Sequence, residues 1–157
     1  MNRAVPELKN PRIDEYFTIA GGNFDDAGRV SSRIKSILKE IDFPREAIRR
    51  AALVTYEAEI NIVSYARTGF IRLRVGEDRV VIDVIDEGDG IPDIELALQE
   101  GYSTATPKIR EMGFGAGMGL SNIKNFSDVF HISSDINRGT YLQMTIYTDS
   151  EVSGGKV

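Results

Sequence analysis

Asp86-Glu87-Gly88-Asp89-Gly90 is the stretch on which the interpretation of this sequence depends. It follows an apolar segment that begins at Val80, and counting in steps of two places Asp86 on the same strand face as Val80. If that is the core face, a carboxylate ends the strand among apolar groups, which is costly unless a donor meets it. The exocyclic amine of adenine is such a donor, and the two glycines let the backbone pass close to a flat ring. A solvated aspartate in a turn is the simpler alternative.

Secondary-structure signals on both sides of this stretch predict one α+β domain. Alternating apolar residues predict strands over residues 13–19, 70–75, 80–86, 129–133 and 140–147. Helical spacing predicts helices over residues 27–41, 44–66, 93–100 and 119–126, with Asp42 as the cap of the second. This order favours a two-layer α/β sandwich, with a mostly antiparallel sheet and helices on one face. We predict an irregular lead-in over residues 1–12, the domain over residues 13–148 and a flexible tail over residues 149–157.

Two polar residues of the second predicted helix lie four positions apart. Glu57 and Asn61 therefore fall on one line of the helix, and Tyr65 continues that line one turn later. They flank the apolar stripe, so they could line a pocket at the edge of the core. A carboxylate can accept a proton, and an amide oxygen is a suitable ligand for Mg²⁺. The pair is also compatible with an ordinary solvated helix surface.

Glycines are concentrated in the middle of the chain. Seven of the 15 lie between positions 88 and 119, and a series of four ends where a helix is predicted to begin. Such a series exposes backbone N–H groups and places a helix N-terminus beside a ligand, which is a common way to hold phosphate. A flexible linker would not run straight into a helix, so we favour a phosphate-binding loop.

Gly139-Thr140 begins the last predicted strand. Period-two counting places Thr140 on the same face as Leu142, Met144 and Ile146, so its hydroxyl is in register with the core. A threonine at such a position can be a simple packing residue. Beside Asp86, however, it could join the edge of an adenine site.

Composition excludes several classes of function. The chain has 157 residues, a net charge of −5 and interspersed charges, so it lacks the basic surface that binds nucleic acid or anionic membranes. Without cysteines it can form neither disulfides nor cysteine-ligated zinc sites. The first residues do not resemble a signal peptide, and no apolar run approaches the roughly 18 residues of a membrane helix. We therefore expect a soluble cytoplasmic protein.

The four motifs together resemble the N box and the three G boxes of the GHKL (histidine-kinase-like) ATPases, which include gyrase and the histidine kinases. The resemblance covers roughly residues 13–148, and the fold it implies is the Bergerat-type ATP-binding fold. The compact build is similar to the bacterial anti-sigma-factor serine kinases of the RsbW and SpoIIAB types. The runs over residues 86–94, 101–104 and 113–117 are closest to the RsbT-like switch kinases. The matching motifs are Glu57-x-x-x-Asn61, Asp86-x-Gly88-x-Gly90, Gly115-x-Gly117-x-Gly119 and Gly139-Thr140.

The resemblance implies a role for each of these residues. Glu57 would be the general base that positions the attacking hydroxyl, and Asn61 would hold Mg²⁺ against the phosphates of ATP. Asp86 would recognise adenine, and residues 103–119 would form a lid over the nucleotide. The other nucleotide-binding residues that it implies are Gly88, Gly90, Ile91, Ser103, Thr104, Gly113, Gly115, Gly117, Met118, Gly119, Leu120 and Thr140.

The function implied is that of an ATP-dependent serine/threonine protein kinase that works by partner switching. Its substrate would be a small STAS-domain antagonist, a sigma factor is a further candidate partner, and a homodimer is left open. Two features depart from the family pattern. Tyr65 stands where many anti-sigma kinases have histidine, and residues 106–112 are an insert in the lid. Lys108 and Arg110 of this insert could touch phosphate or be solvated loop charges.

Other functions remain open. A nucleotide-dependent binding module without kinase activity is one, although the presence of Glu57 favours a kinase. A histidine-kinase-like ATPase domain is another, and its phosphoacceptor would have to lie on a separate chain. The single histidine, His131, falls in a predicted strand and is interpreted as an ordinary strand residue. A chaperone-like or DNA-topology ATPase would need further domains.

Overall fold

The computed structural model describes residues 6–103, 107 and 119–149. Its elements follow the predicted order of strand, two helices, two strands, helices and two strands. A short 3-10 helix, Phe24–Asp26, precedes the first α-helix. In chain order, the strands and α-helices are β1 (Ile13–Ala20), α1 (Arg29–Glu40), α2 (Arg45–Tyr65), β2 (Ala66–Val75), β3 (Arg79–Gly88), α3 (Ile94–Ala97), α4 (Gly119–Phe126), β4 (Val129–Asp135) and β5 (Gly139–Tyr147).

The five strands form one sheet in the order β1-β2-β3-β5-β4, and every neighbouring pair is antiparallel. This confirms the predicted α+β class with its antiparallel sheet. The central pairing joins β3 to β5, with Ile85 opposite Tyr141. As a result, the end of β3, where Asp86 lies, meets the beginning of β5, where Thr140 lies.

The core lies between the sheet and α2, which packs along β1, β2, β3 and β5 and is flanked by α1 and α4. Val80, Ile82 and Val84 are buried, so the predicted core face of β3 is confirmed. Leu142, Met144 and Ile146 are buried as well, as predicted for β5. The largest apolar side chains that the core encloses completely include Ile34, Leu38, Ile62, Ile71, Leu73, Ile82, Ile123, Met144 and Ile146.

A buried carboxylate of α2 fixes the beginning of α1. Glu59 is only 1% exposed, and its two oxygens accept the backbone N–H groups of Gly28 at 3.0 Å, Val30 at 3.2 Å and Ser31 at 2.6 Å. These are the N–H groups that a helix leaves without partners at its N-terminus. A negative charge at that end is also favoured by the helix dipole. Glu59 therefore caps α1 from a different helix.

A buried arginine ties α2 to the far end of the sheet. Arg50 donates to the backbone oxygens of Phe126, at 3.2 Å, and Tyr147, at 3.3 Å, and it contacts the Asp128 carboxylate at 3.3 Å. Phe126 ends α4, and Tyr147 ends β5. The two backbone hydrogen bonds of Arg50 therefore fix α2, α4 and β5 relative to one another, and with them the residues that they carry.

The boundaries differ from the predictions in a few places. Asp42 is not the cap of α2: it adopts a φ of 55°, and Pro44 occupies the N-cap position without a side-chain hydrogen bond. The third helix is shorter than predicted, and Asp93 caps it by accepting the N–H of Leu96 at 3.1 Å. Strands β2 and β3 begin earlier than predicted, because their pairing continues past the alternating apolar residues.

Candidate functional site

Asp86 lies at the end of β3, where the core face meets the edge of the domain. Its Oδ1 accepts the backbone N–H groups of Gly88 at 3.0 Å and Thr140 at 3.2 Å. Partial burial raises the pKa of the Asp86 carboxyl, and these two hydrogen bonds act in the opposite direction. Within the described part of the chain no hydrogen bond reaches Oδ2 of Asp86, so this oxygen can accept a donor from a ligand.

The backbone around Asp86 approaches so closely that two positions require glycine. Gly139 has a φ of 138°, and a Cβ there would overlap the carbonyl oxygen of Asp86. Gly90 has a φ of 80°, and a Cβ there would overlap the carbonyl oxygen of Asp135, the last residue of β4. A side chain at Gly139 would force the start of β5 away from β3, and one at Gly90 would force the loop after β3 away from the end of β4. The two glycines therefore allow the backbone segments around Asp86 to pack closely against one another.

A hydroxyl cluster closes one side of this region. The Ser134 hydroxyl of β4 accepts the N–H of Ile91 at 2.7 Å and donates to the carbonyl oxygen of Gly139 at 3.0 Å. Its Oγ also lies 2.9 Å from the Thr140 hydroxyl. Three segments that the sequence separates, the loop after β3, the end of β4 and the start of β5, are therefore joined through one serine.

A second cluster forms where α2 meets the start of α4. A Cβ built on Gly119 would stand 3.2 Å from Oε2 of Glu57 and 3.3 Å from Oδ1 of Asn61. Asn122, one turn further along α4, donates from Nδ2 to Oε1 of Glu57 at 3.5 Å. Burial raises the pKa of the Glu57 carboxyl, and the Asn122 hydrogen bond partly opposes this. The sequence placed Gly119 in a different motif from Glu57 and Asn61, and the fold brings the two motifs together.

The helix α2 links the two clusters. Its last residue, Tyr65, continues the line from Glu57 and Asn61, and its carbonyl oxygen lies 3.2 Å from where a Cβ of Gly88 would stand. The Tyr65 side chain is 41% exposed. One line of α2 thus runs from the Glu57 carboxylate at one end to the glycine loop beside Asp86 at the other.

The remaining predicted site residues divide into two groups. Ile91 joins the hydroxyl cluster, Leu120 packs against the core, and Ser103 is half-buried. The predictions for residues 106, 108–112 and most of the lid lie outside the described residues. The predicted nucleotide-binding residues in this second group are Thr104, Gly113, Gly115, Gly117 and Met118.

Sequence reasoning missed Ser134 and Asn122 as members of these clusters. Ser134 lies on the inward face of β4 together with Phe130 and Ile132, and this alternation was the only signal that could have identified it. Asn122 comes three positions after Gly119, which places it on the same side of α4. Neither signal names the partner, because each partner comes from a distant part of the chain.

The arrangement fits a nucleotide. A half-buried carboxylate with one available oxygen, backed by close-packed glycines and a threonine, suits the donor edge of a flat base. At the other end of the line, an amide and a carboxylate stand beside the first turn of a helix. In the described residues no group of three or more histidine, aspartate or glutamate side chains could hold a metal ion by itself.

Residues 46–150 match the family described as histidine kinase-, DNA gyrase B-, and HSP90-like ATPases. The chain belongs to this family, as the motifs predicted. The fold and the order of the motifs agree with that membership, and the site lies in an ATP-binding domain.

Among individual proteins, the chain is 33% identical over 106 residues to the anti-sigma F factor of Thermoanaerobacter sp. (strain X514), a match that covers 68% of this chain and 66% of that relative. It is 31% identical over 113 residues to the serine/threonine-protein kinase RsbT of Bacillus subtilis (strain 168), covering 69% and 79%. The anti-sigma F factor of Geobacillus kaustophilus (strain HTA426) is 30% identical over 129 residues, covering 78% and 82%. The chain thus spans just under two thirds of the length of the Thermoanaerobacter anti-sigma F factor. Among the described helices, none is long and apolar enough to cross a membrane.

Proposed function

We propose that the chain is an ATP-dependent serine/threonine kinase that transfers the γ-phosphate to a hydroxyl of a small protein partner. The observation that carries this proposal is the half-buried Glu57 carboxylate, which lies beside Asn61 and Gly119. A carboxylate whose pKa is raised by burial is a better general base than a solvated one, because its pKa is closer to the pH at which the enzyme works. The names of relatives, RsbT kinase and anti-sigma F factors, support the same class.

The nucleotide would lie along the line of α2. Asp86 would accept the amine of adenine, and Gly88, Gly90, Ile91 and Thr140 would surround the base. Asn61 would be the protein's ligand to Mg²⁺, which usually completes its shell with phosphate oxygens and water. When bound, the ion neutralises charge that develops on the phosphates during transfer.

Glu57 would act as the general base for the incoming hydroxyl. As the hydroxyl oxygen forms its bond to the γ-phosphorus, the bond from phosphorus to the β–γ bridging oxygen breaks and ADP leaves. The hydroxyl proton passes to the Glu57 carboxylate. Asn122 would hold that carboxylate in place through its hydrogen bond to Oε1. The protein side chains thus orient the reacting groups and accept a proton, and positioning of this kind is most of what phosphoryl transfer requires of a protein.

The partner would be a small STAS-type antagonist, with a sigma factor as a further candidate, in the cytoplasm. A new phosphate adds about −1.5 to −2 charges to the partner at neutral pH. Next to a chain of net charge −5, this charge favours release of the phosphorylated product. The ATP and ADP forms would then prefer different partners if the contacts of the lid differ between them.

The test is transfer from γ-labelled ATP to proteins co-purified from the native organism, followed by mapping of the phosphorylated residue. Wild-type chain, Glu57→Gln and the control Glu46→Gln, on the exposed first turn of α2, are compared under the same conditions. The proposal expects labelled serine or threonine on a partner with the wild type and the control, and very little with Glu57→Gln. Label on histidine alone would instead support an ATPase domain with a separate acceptor chain. Nucleotide binding without any transfer would support a binding module.

A further inference from the structure

The contacts of Ser134 restrict where the protons of the hydroxyl cluster can lie. A serine hydroxyl has one proton to donate and two lone pairs to accept with. The N–H of Ile91, 2.7 Å away, can only donate, so it occupies one lone pair of Ser134. The carbonyl oxygen of Gly139, 3.0 Å away, can only accept, so it requires the Ser134 proton.

The third contact then has only one consistent direction. Ser134 Oγ and Thr140 Oγ1 are 2.9 Å apart, and either could be the donor when the pair is considered alone. With the Ser134 proton directed to Gly139, the Thr140 proton must point to Ser134. The opposite direction would leave two acceptors, Ser134 Oγ and the Gly139 oxygen, facing each other without a proton between them.

We propose that Ser134 is a specificity-determining residue that makes Thr140 an acceptor-only group beside Asp86, so that the site selects purine bases with an amine at position 6 over those with a keto oxygen. This inference rests on the proposed nucleotide site. The proton of Thr140 is held by Ser134, and within the described residues Thr140 Oγ1 makes no other hydrogen bond. Its free lone pairs and Oδ2 of Asp86 both offer acceptors to a bound base.

Two acceptors at one edge discriminate strongly by chemistry. An amine brings protons to them, whereas a keto oxygen brings a third acceptor and leaves the protein groups without partners. Buried polar groups that lose their partners account for much of the selectivity of sites built on hydrogen bonds. Freed from Ser134, the Thr140 hydroxyl could rotate and donate, which would accommodate a keto oxygen. Ser134 acts through Thr140 and needs no contact with the nucleotide itself.

The experiment measures the affinities of ADP and inosine diphosphate by calorimetry, with Mg²⁺ and the full chain. The two ligands share their ribose and phosphates. Their bases differ at position 6, which carries an amine in adenine and a keto oxygen in hypoxanthine, and at N1, which carries a proton only in hypoxanthine. We expect the wild type to prefer ADP, so that the dissociation constant of inosine diphosphate divided by that of ADP is greater than one. Ser134→Ala should reduce this ratio by about three- to tenfold, the size typical of one hydrogen bond. Ser134→Thr restores the hydroxyl and should keep the wild-type ratio. Ser133→Ala is the matched control, because Ser133 is the exposed neighbour on the opposite face of β4.

A second variant protects the test against a folding defect in Ser134→Ala. Thr140→Val removes the acceptor directly, so it should reduce the ratio by a similar factor, and adding Ser134→Ala to it should change the ratio no further. A wild-type ratio in folded Ser134→Ala, or independent and additive effects of the two changes, would overturn the inference while leaving the nucleotide site intact. Failure of the wild type to bind ADP at all would instead overturn the proposed function, and this inference with it.

Discussion

Gly119, the first residue of α4, lies directly against the carboxylate of Glu57 in α2. A Cβ on Gly119 would stand only 3.2 Å from Oε2 of Glu57, which is tighter than an ordinary carbon–oxygen contact. Glycine at this position therefore allows the start of α4 to approach the proposed base. The phosphate-binding prediction for the glycine series and the base prediction for α2 concern neighbouring groups in the fold.

Gly119→Ala is expected to impair transfer without destabilising the domain. Alanine is favoured over glycine in helices by up to about 1 kcal/mol, so the melting temperature should not fall by more than a few degrees. The new methyl group, however, must displace the Glu57 carboxylate by a few tenths of an ångström, and we expect transfer to fall by about tenfold. Steady-state kinetics and thermal melts measure both effects, with Lys124→Ala on the exposed side of α4 as control. An unchanged transfer rate would show that Glu57 tolerates the displacement.

Glu57→Gln is expected to separate binding from chemistry. The amide keeps the size of the side chain but cannot take up a proton from the incoming hydroxyl. Transfer should therefore fall by about 10²–10⁴-fold, the usual contribution of a general base, while the ATP dissociation constant stays within a few-fold of the wild type. Calorimetry and single-turnover kinetics provide the two measurements. Loss of both properties together would assign Glu57 to nucleotide binding.

The raised pKa of Glu57 predicts opposite effects of pH on activity and stability. Burial disfavours the ionised form, so the pKa lies above the ordinary value of 4.5. The protonated group stabilises the fold relative to the ionised one, and this stability is present below about pH 4.5 and lost as the pH rises through the folded-state pKa. Transfer needs the ionised form, so the acidic limb of its pH profile should lie above pH 4.5 and disappear in Glu57→Gln.

Two further measurements check this sign. Glu57→Gln should melt above the wild type near neutral pH, and the difference should vanish at about pH 4, where both side chains are neutral. Removal of the Asn122 hydrogen bond by Asn122→Ala should move the acidic limb of the transfer profile to still higher pH, because that bond lowers the pKa of Glu57. A shift in the other direction would contradict the assignment.

Glu59→Gln is expected to destabilise the fold while leaving the site chemistry unchanged. Three backbone N–H groups donate hydrogen bonds to the two oxygens of Glu59. In glutamine one of these oxygens is replaced by an NH₂ group, which would face an N–H donor and could not accept from it. Hydrogen bonds to charged groups contribute about 1.5–3 kcal/mol each, so we expect a loss of at least that size in urea denaturation. The exposed Glu40→Gln, at the end of α1, should be neutral. A similar stability for both variants would mean that the cap contributes little.

Much of the fold was predictable because its signals are local. The two-residue period of β3 placed Asp86 on the core face, and the four-residue spacing in α2 aligned Glu57 with Asn61. Hairpins along the chain indicated an antiparallel sheet. These patterns need no knowledge of distant residues.

The contacts that complete the site were not predictable, because they join distant segments. Ser134 meets Ile91 only after β4 has paired with β5, and Asn122 meets Glu57 only after α4 has packed on α2. Capping shows the same limit. A nearby aspartate, Asp42, was the expected cap of α2, whereas α1 is capped by Glu59 from another helix and Asp42 adopts a left-handed turn conformation.

Asp86→Asn tests the adenine assignment with little disturbance to the fold. Both backbone hydrogen bonds of Asp86 go to Oδ1, and the oxygen of an asparagine can accept them in the same way. What changes is the other atom of the side chain: the Oδ2 acceptor becomes an NH₂ donor, which would face the amine of the proposed adenine as a second donor. Hydrogen bonds to charged groups are worth about 1.5–3 kcal/mol, so ATP affinity should fall by about 10- to 100-fold. Calorimetric titration measures the affinity, circular dichroism confirms the fold, and the exposed Asp89→Asn in the same loop controls for the loss of one charge.

Because the pKa of Asp86 is raised by burial, its ionised form costs native stability at neutral pH. The variant should therefore melt at the same or a slightly higher temperature, and a folded Asp86→Asn that binds ATP like the wild type would remove Asp86 from the site.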